Sequence, residues 1–163
     1  MKTEKVTLQL ATKEARELYK TGSKEIQTIL ESTLGKDFFS QSVCDRVNTM
    51  DDVFRETGRP HTPAFNDVPE DLRPYFKEVY DNVIIVEALN EGEKMDIYNS
   101  DKARYYPWFI TNGSAAAFAF RYSAYDFTAA SAASGSRLSL KNSDLAKHYG
   151  VQFKDKVRKM LEL

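Results

Sequence analysis

The chain carries YYPWF at residues 105–109, which opens an aromatic segment that ends at Leu140. The segment continues as AAAFAFRYSAYDF at 115–127, thins to TAASAASGS at 128–136 and closes as RLSL. Large aromatic residues among Ala and Ser, with few charges, are typical of β-strands and of adaptable contact surfaces. Both the fold class and the binding site are therefore predicted from this segment.

The strands are predicted from side chains that alternate between the two faces of a sheet. Within the aromatic segment, Phe118, Phe120 and Tyr122 are expected to share one face, opposite Ala119 and Arg121. We expect an antiparallel sheet of about three to five strands. The predicted strands are 4–10, 104–110, 115–123 and 135–140.

Helices are predicted before the aromatic segment from capping residues and apolar periodicity. Small helices fill residues 12–58, and a proline-containing loop follows at 59–69. A longer helix then starts near Pro69 or Pro74 and ends near Asn90. The predicted caps and stops of the small helices are Thr12, Gly22, Ser23, Gly35, Thr49 and Gly58. Thr49 with Asp52 three residues later resembles a capping box.

The predicted fold class is α+β, with several helices packed on a small antiparallel sheet and closed by a C-terminal amphipathic helix. We predict a single domain over 1–163, in which 1–58 holds the N-terminal strand and small helices. The loop 59–69 separates these from the long helix, antiparallel strands and final helix of 70–163. Gly150 is expected to weaken the final helix by about 1 kcal/mol. The apolar stripe of that helix is Leu145, Tyr149, Phe153, Val157 and Met160.

Composition limits the classes of partner. The net charge is -1 and the pI is about 6.2, so neither nucleic acid nor a membrane is expected as a partner. Cys44 is the single cysteine, which excludes an internal disulfide and fits a reducing compartment. The first residues lack the apolar core of a signal peptide. We therefore expect a location in the cytoplasm.

Residues suited to catalysis are few. The only histidines are His61 and His148, which have no metal-ligand spacing to each other or to Cys44. Cys44 and His148 could form a thiol pair only if the fold brings them together. The sequence contains no glycine-rich phosphate loop. No catalytic residue, metal or cofactor is therefore expected.

The second half of the aromatic segment, residues 122–134, contains too many small Ala and Ser residues for a core and is too apolar for an ordinary turn. Tyr provides rigid contact area, whereas Ser and Ala permit close approach, which is the composition of binding surfaces. We predict a binding surface made by this stretch and its neighbours. Its residues are Trp108, Arg121, Tyr122, Tyr125, Asp126, Phe127, Ser131 and Arg137.

Several short motifs occur together along the chain, namely ELYKTGS at 17–23, ALNEG at 88–92, YYPWF, GSRL at 135–138, SDLAK at 143–147 and GVQF at 150–153. In this combination the chain resembles a group of small uncharacterised proteins of gut Bacteroidetes and their phages and prophages. The resemblance implies a phage or prophage context, with a location in the cytoplasm of a bacterial host or in a virion, and assigns no residue a role. A further hypothesis from the resemblance is that residues 122–134 are a diversified segment, since this is the part expected to differ among the similar proteins.

The predicted function is that of a non-enzymatic phage or prophage binding protein. Its partner is a protein, a glycan or a small-molecule signal, and a homo-oligomer is left open. One alternative is a structural virion or assembly component that uses the same stretch as a subunit interface. The other alternative is a small enzyme of unknown class.

Overall fold

The computed structural model describes residues 10–94, 96, 98–99, 101–126 and 136–163. The chain divides into two compact units between Gln41 and Ser42. The single domain over 1–163 stays a prediction, and the loop 59–69 lies inside the second unit. The predicted strand 4–10 lies outside the described residues, apart from Leu10, which is in no strand.

The described part of the first unit consists of three helices, α1 (Thr12–Thr21), α2 (Lys24–Leu34) and α3 (Lys36–Ser40). The predicted stops at Gly22 and Gly35 are confirmed as the C-caps of α1 and α2. The predicted cap at Thr12 was wrong, because α1 begins at Thr12 itself and Ala11 occupies the N-cap position.

Aromatic contacts and a hydrogen bond hold the three helices of the first unit together. The ring of Tyr19 stacks on that of Phe39 at a centroid distance of 4.1 Å, and the Tyr19 hydroxyl donates to Glu31 at 2.6 Å. The guanidinium of Arg16 lies 4.3 Å from the ring centroid of Phe38. These contacts join α1 to both α2 and α3, which helps to stabilise a unit this small.

The second unit opens with α4 (Val43–Arg46) and α5 (Met50–Thr57). The capping box predicted at the start of α5 is confirmed: the Thr49 hydroxyl accepts from the backbone N–H of Asp52, and the Asp52 carboxylate accepts from that of Thr49. Helix α5 ends at Gly58, whose φ of 65° is left-handed, as predicted for a glycine stop.

The long helix α6 (Arg73–Leu89) supplies much of the core. Pro74 lies in its first turn and Asn90 caps its end, as predicted. Its last turns are buried on nearly all sides, which is typical of a central helix rather than a surface helix. The buried apolar residues of α6 are Ile84, Ile85, Val86, Ala88 and Leu89.

The sheet is an antiparallel pair of β1 (Arg104–Ile110) and β2 (Ala119–Asp126). The first strand lies where it was predicted. The second begins later than predicted, because residues Ala115–Ala117 form a 3-10 turn that the Ser114 side chain caps. In the described residues the sheet has these two strands, fewer than the three to five expected.

The prediction that Phe120 and Tyr122 share a face was wrong. Trp108 pairs with Tyr122 whereas the next residue, Phe109, pairs with Phe120, so Arg121 is the extra residue of a β-bulge. Neighbouring residues of β1 point to opposite faces, and so do their partners on β2. The bulge therefore places Phe120 on one face of the sheet and Tyr122 on the other.

The third strand predicted at 135–140 is also wrong for its described residues. Residues Ser136–Leu138 form a 3-10 turn, and Leu140 makes a single β-bridge to Tyr105. The Asn90 side chain binds this segment on its other side: its amide donates to the carbonyl of Ser139 and its oxygen accepts from the N–H of Lys141. These groups alternate with those of Leu140 and therefore point away from β1. Backbone groups on both sides of the bridge are thus bound by a side chain.

The final helix is present as two helices, α7 (Ser143–Gln152) and α8 (Lys154–Glu162), which meet at Phe153. The predicted stripe is confirmed by the burial of Leu145, Tyr149, Phe153 and Val157. The Tyr149 hydroxyl donates to Asn82 of α6 at 2.5 Å, and burial raises the pKa of Tyr149. Helices packed on a two-stranded antiparallel sheet and closed by C-terminal helices make the fold α+β, as predicted.

Candidate functional site

The outer face of the hairpin carries an exposed aromatic pair. Trp108 of β1 lies directly opposite Tyr122 of β2, and their ring planes are within 2° with centroids 6.0 Å apart. The two side chains are 46% and 45% exposed. Cross-strand aromatic pairs stabilise a sheet modestly, but a pair left this open to solvent also offers a preformed contact surface.

Arg121 completes this surface. Its guanidinium carbon lies 5.6 Å from the centroid of the Tyr122 ring, within the range of a cation–π contact. Because Arg121 is the bulge residue, the same local irregularity brings its side chain to Tyr122 and turns Tyr122 outward. Trp108, Arg121 and Tyr122 are called the outer aromatic cluster below.

The inner face of the hairpin is covered by helix α7. Gly150 lies against Phe120 and Pro107 so closely that it has no room for a side chain. On the same face, Phe109 stacks on Phe118 with centroids 4.7 Å apart and joins the core. Packing therefore fixes the hairpin from behind, which leaves the outer aromatic cluster exposed on a rigid support.

The other residues of the predicted binding surface do not join this cluster. Tyr125 is exposed, but it pairs with Tyr105 and so projects from the face opposite to Tyr122. Asp126 is exposed at the end of β2, where it pairs with Arg104 in the register. Phe127 and Ser131 lie outside the described residues. Arg137 lines a separate cleft. The eight-residue surface therefore stays a prediction, of which the structure brings Trp108, Arg121 and Tyr122 together.

The cleft that Arg137 lines lies beside the C-terminal half of α6 and has a volume of about 230 Å³. Its other charged residues come from the loop after α5, from α6 and from the turn that follows α6. Sequence reasoning did not find this cleft, because its charges are spread over four segments with no motif to connect them. The charged lining residues are Arg59, Glu87, Glu93, Lys94 and Arg137.

Cys44 and His148 do not form an activated pair. The Nε2 atom of His148 is 2.7 Å from the carbonyl oxygen of Val47, so this ring is bound to the backbone. Burial raises the pKa of the Cys44 thiol, and the carboxylate of Asp45 raises it further. Thiol nucleophiles instead have a lowered pKa. Across the described residues, no three potential metal-ligating side chains form a group that could hold an ion.

Cys44 is expected to react slowly with iodoacetamide at pH 7, more slowly than the same thiol in the urea-unfolded chain. The physical reason is that a raised pKa leaves less thiolate at this pH, and the thiolate is the reactive form. The labelling rate is expected to keep rising as the pH passes about 8.5, the ordinary pKa of a thiol. Mass spectrometry of quenched samples measures it, and fast labelling at pH 6 would contradict the raised pKa.

No protein-family model, curated protein or solved structure matches the chain. None of the helices in the described part of the chain combines the length and apolar character needed to span a bilayer.

Proposed function

We propose that this protein is a non-enzymatic binding protein that holds another protein with its outer aromatic cluster. The observation that carries the proposal is the exposed parallel pair of Trp108 and Tyr122, with Arg121 over the tyrosine ring. Trp, Tyr and Arg are the three residue types most enriched among the residues that dominate protein–protein binding energy.

The position of the cluster supports a protein as partner over a small molecule. Small-molecule sites are concave and enclose most of the ligand. Trp108 and Tyr122 instead stand nearly half exposed on the outer face of a hairpin. The positive charge of Arg121 favours an acidic residue on the partner, close to the aromatic contact.

The enzyme alternative has less support. The raised pKa of Cys44 and the binding of His148 to a backbone carbonyl are both unsuited to nucleophilic catalysis. The resemblance to phage and prophage proteins favours a partner from a bacterial host, met in the host cytoplasm or on the virion. A stretch diversified over 122–134 would include Tyr122 of the outer aromatic cluster and so change which partner is held.

Trp108→Ala is expected to weaken partner binding by about 30-fold or more, because a central interface Trp contributes about 2 kcal/mol or more. A protein captured from a Bacteroidetes lysate is purified and its affinity for each variant is measured by calorimetry. Tyr98→Ala is the matched control, since Tyr98 is also an exposed aromatic residue but lies outside the hairpin. Tyr122→Ala is expected to act like Trp108→Ala.

Equal affinities of Trp108→Ala and wild type would contradict the proposal. Two further measurements assign the cluster to another partner class. A dimer seen by light scattering that dissociates in Trp108→Ala would make the cluster a self-assembly interface. Glycan-array binding that is lost in the same variant would make the partner a glycan.

A further inference from the structure

The cleft beside α6 contains more positive than negative charge. Arg59, Lys94 and Arg137 line it, together with the carboxylates of Glu87 and Glu93. These three cations come from separate segments of the chain, so they approach the cleft from different directions.

Both carboxylates already have partners. Glu87 accepts two hydrogen bonds from Arg59, from Nε and from Nη2, each at 3.1 Å. Glu93 accepts from Lys102 at 2.5 Å, and this bond is the main reason that the pKa of Glu93 is lowered. Each carboxylate is therefore matched by a cation, Glu87 by Arg59 and Glu93 by Lys102.

Two cations of the cleft have no carboxylate partner among the described residues. Within the part of the chain that the structure describes, Lys94 and Arg137 make no ion pair and are exposed. The bonds of Arg59 to Glu87 also leave its Nη1 amino group unused. The cleft thus has two free positive charges and a third cation with hydrogen-bond donors to spare.

The chain around these cations is held in place. The Asn90 side chain bonds to the backbone of Ser139 and Lys141, which fixes the segment just after Arg137 against the end of α6. Arg59 is held by its two bonds to Glu87 and follows the left-handed Gly58. Binding an anion here would therefore require little reordering of the backbone, which favours affinity.

We propose that this cleft binds the phosphate group of a small phosphorylated molecule. A carboxylate can be satisfied by one guanidinium, whereas the oxygens of a phosphate point in several directions and suit cations on several sides. Val83 and Val86 also line the cleft and offer an apolar wall to the rest of the ligand. The volume of about 230 Å³ is below the range of drug-sized pockets, about 300–1,000 Å³, so the ligand is small.

The proposal is independent of the outer aromatic cluster. None of the residues that line the cleft belongs to that cluster, and the two sites differ in chemistry. The loss of one function should therefore leave the other intact, and each can fail alone.

The test is an NMR titration of the full chain with glycerol 3-phosphate, with glycerol as the matched neutral probe and acetate as the carboxylate. We expect saturable shifts of the backbone amides of Gly92 and Lys94 with glycerol 3-phosphate, and none that saturate with glycerol or acetate. Arg137→Gln is expected to raise Kd about tenfold or more, because it removes a charge-assisted hydrogen bond. Lys94→Gln should raise Kd in the same direction.

Arg121→Gln is the matched control, since it removes an exposed guanidinium that does not line the cleft. Its Kd for glycerol 3-phosphate should equal that of wild type. Thermal unfolding of each variant checks that the fold is retained. Shifts that do not saturate, equal responses to acetate, or the same loss in Arg121→Gln as in Arg137→Gln would each overturn the proposal.

Discussion

Arg46→Met is expected to lower the free energy of unfolding by about 3–5 kcal/mol, the cost of breaking a buried ion pair from one side. The guanidinium of Arg46 donates two hydrogen bonds to Glu56, at 3.1 and 2.8 Å, and a third to Glu91 at 2.9 Å. The side chains of Arg46 and Glu56 are only 7% and 10% exposed. Without Arg46, the charge of Glu56 would stay buried with no cation to compensate it.

The loss of Arg46 destabilises Glu91 less than Glu56, because Lys141 also donates to the Glu91 carboxylate at 2.9 Å. The network joins α4, α5 and the turn after α6, so its loss weakens several contacts at once. Urea unfolding followed by circular dichroism measures the change in the free energy of unfolding.

Arg55→Met is the matched control for Arg46→Met. Arg55 also forms an ion pair, with Asp52 at 3.1 Å, but its side chain is 64% exposed. Surface pairs of this kind contribute about 0–1 kcal/mol, so this variant should unfold nearly as the wild type does. The double variant Arg46→Met/Glu56→Leu removes both buried charges and should recover most of the stability. A double variant as unstable as Arg46→Met would show that the loss does not come from the unpaired carboxylate.

Gly150→Ala is expected to lower the free energy of unfolding by about 1–3 kcal/mol, the usual cost of overpacking. A Cβ atom at position 150 would lie 2.8 Å from Cβ of Pro107 and nearer still to the ring of Phe120. Neither group can move away easily, because Pro107 is part of β1 and Phe120 is part of β2. The higher helix propensity of alanine would by itself stabilise the helix by about 1 kcal/mol. The sign of the measured change in the free energy of unfolding therefore shows whether overpacking or helix propensity has the larger effect.

Val151→Ala tests the same helix at a position without this contact. Val151 is 61% exposed, and its replacement should change the free energy of unfolding by no more than about 0.5 kcal/mol. Thermal or urea unfolding of both variants makes the comparison. A Gly150→Ala variant more stable than wild type would mean that the hairpin and α7 are not packed as closely as described.

Local rules were sufficient where the relevant contacts are close in sequence. Thr49 and Asp52 are three residues apart, and their reciprocal bonds at the start of α5 followed from that spacing. The glycine stops of the small helices and the first strand of the hairpin were predicted for the same reason. In each case the determining interaction lies within one turn of helix or one strand.

Long-range contacts explain the predictions that were wrong. Residues 135–140 have the composition of a strand, but Ser136–Leu138 form a 3-10 turn, and the segment after it is bound by the Asn90 side chain, 49 residues before Ser139. The bulge at Arg121 reverses the alternation of β2 in a way that the pattern of Phe120 and Tyr122 alone does not reveal. Both outcomes depend on residues that no local window contains.

By itself, the sequence determined the α+β class, the glycine stops of the small helices, the capping box of α5, the apolar stripe of the final helix and the place of the first strand of the hairpin. Only the tertiary structure decided which aromatic residues face solvent, because that depends on the register of β2 against β1 and on the close approach of α7. Gly150 shows the difference most directly. From the sequence alone, Gly150 is a residue that weakens a helix. In the fold, its lack of a side chain lets Phe120 pack against α7, while Trp108 and Tyr122 lie on the exposed face of the hairpin.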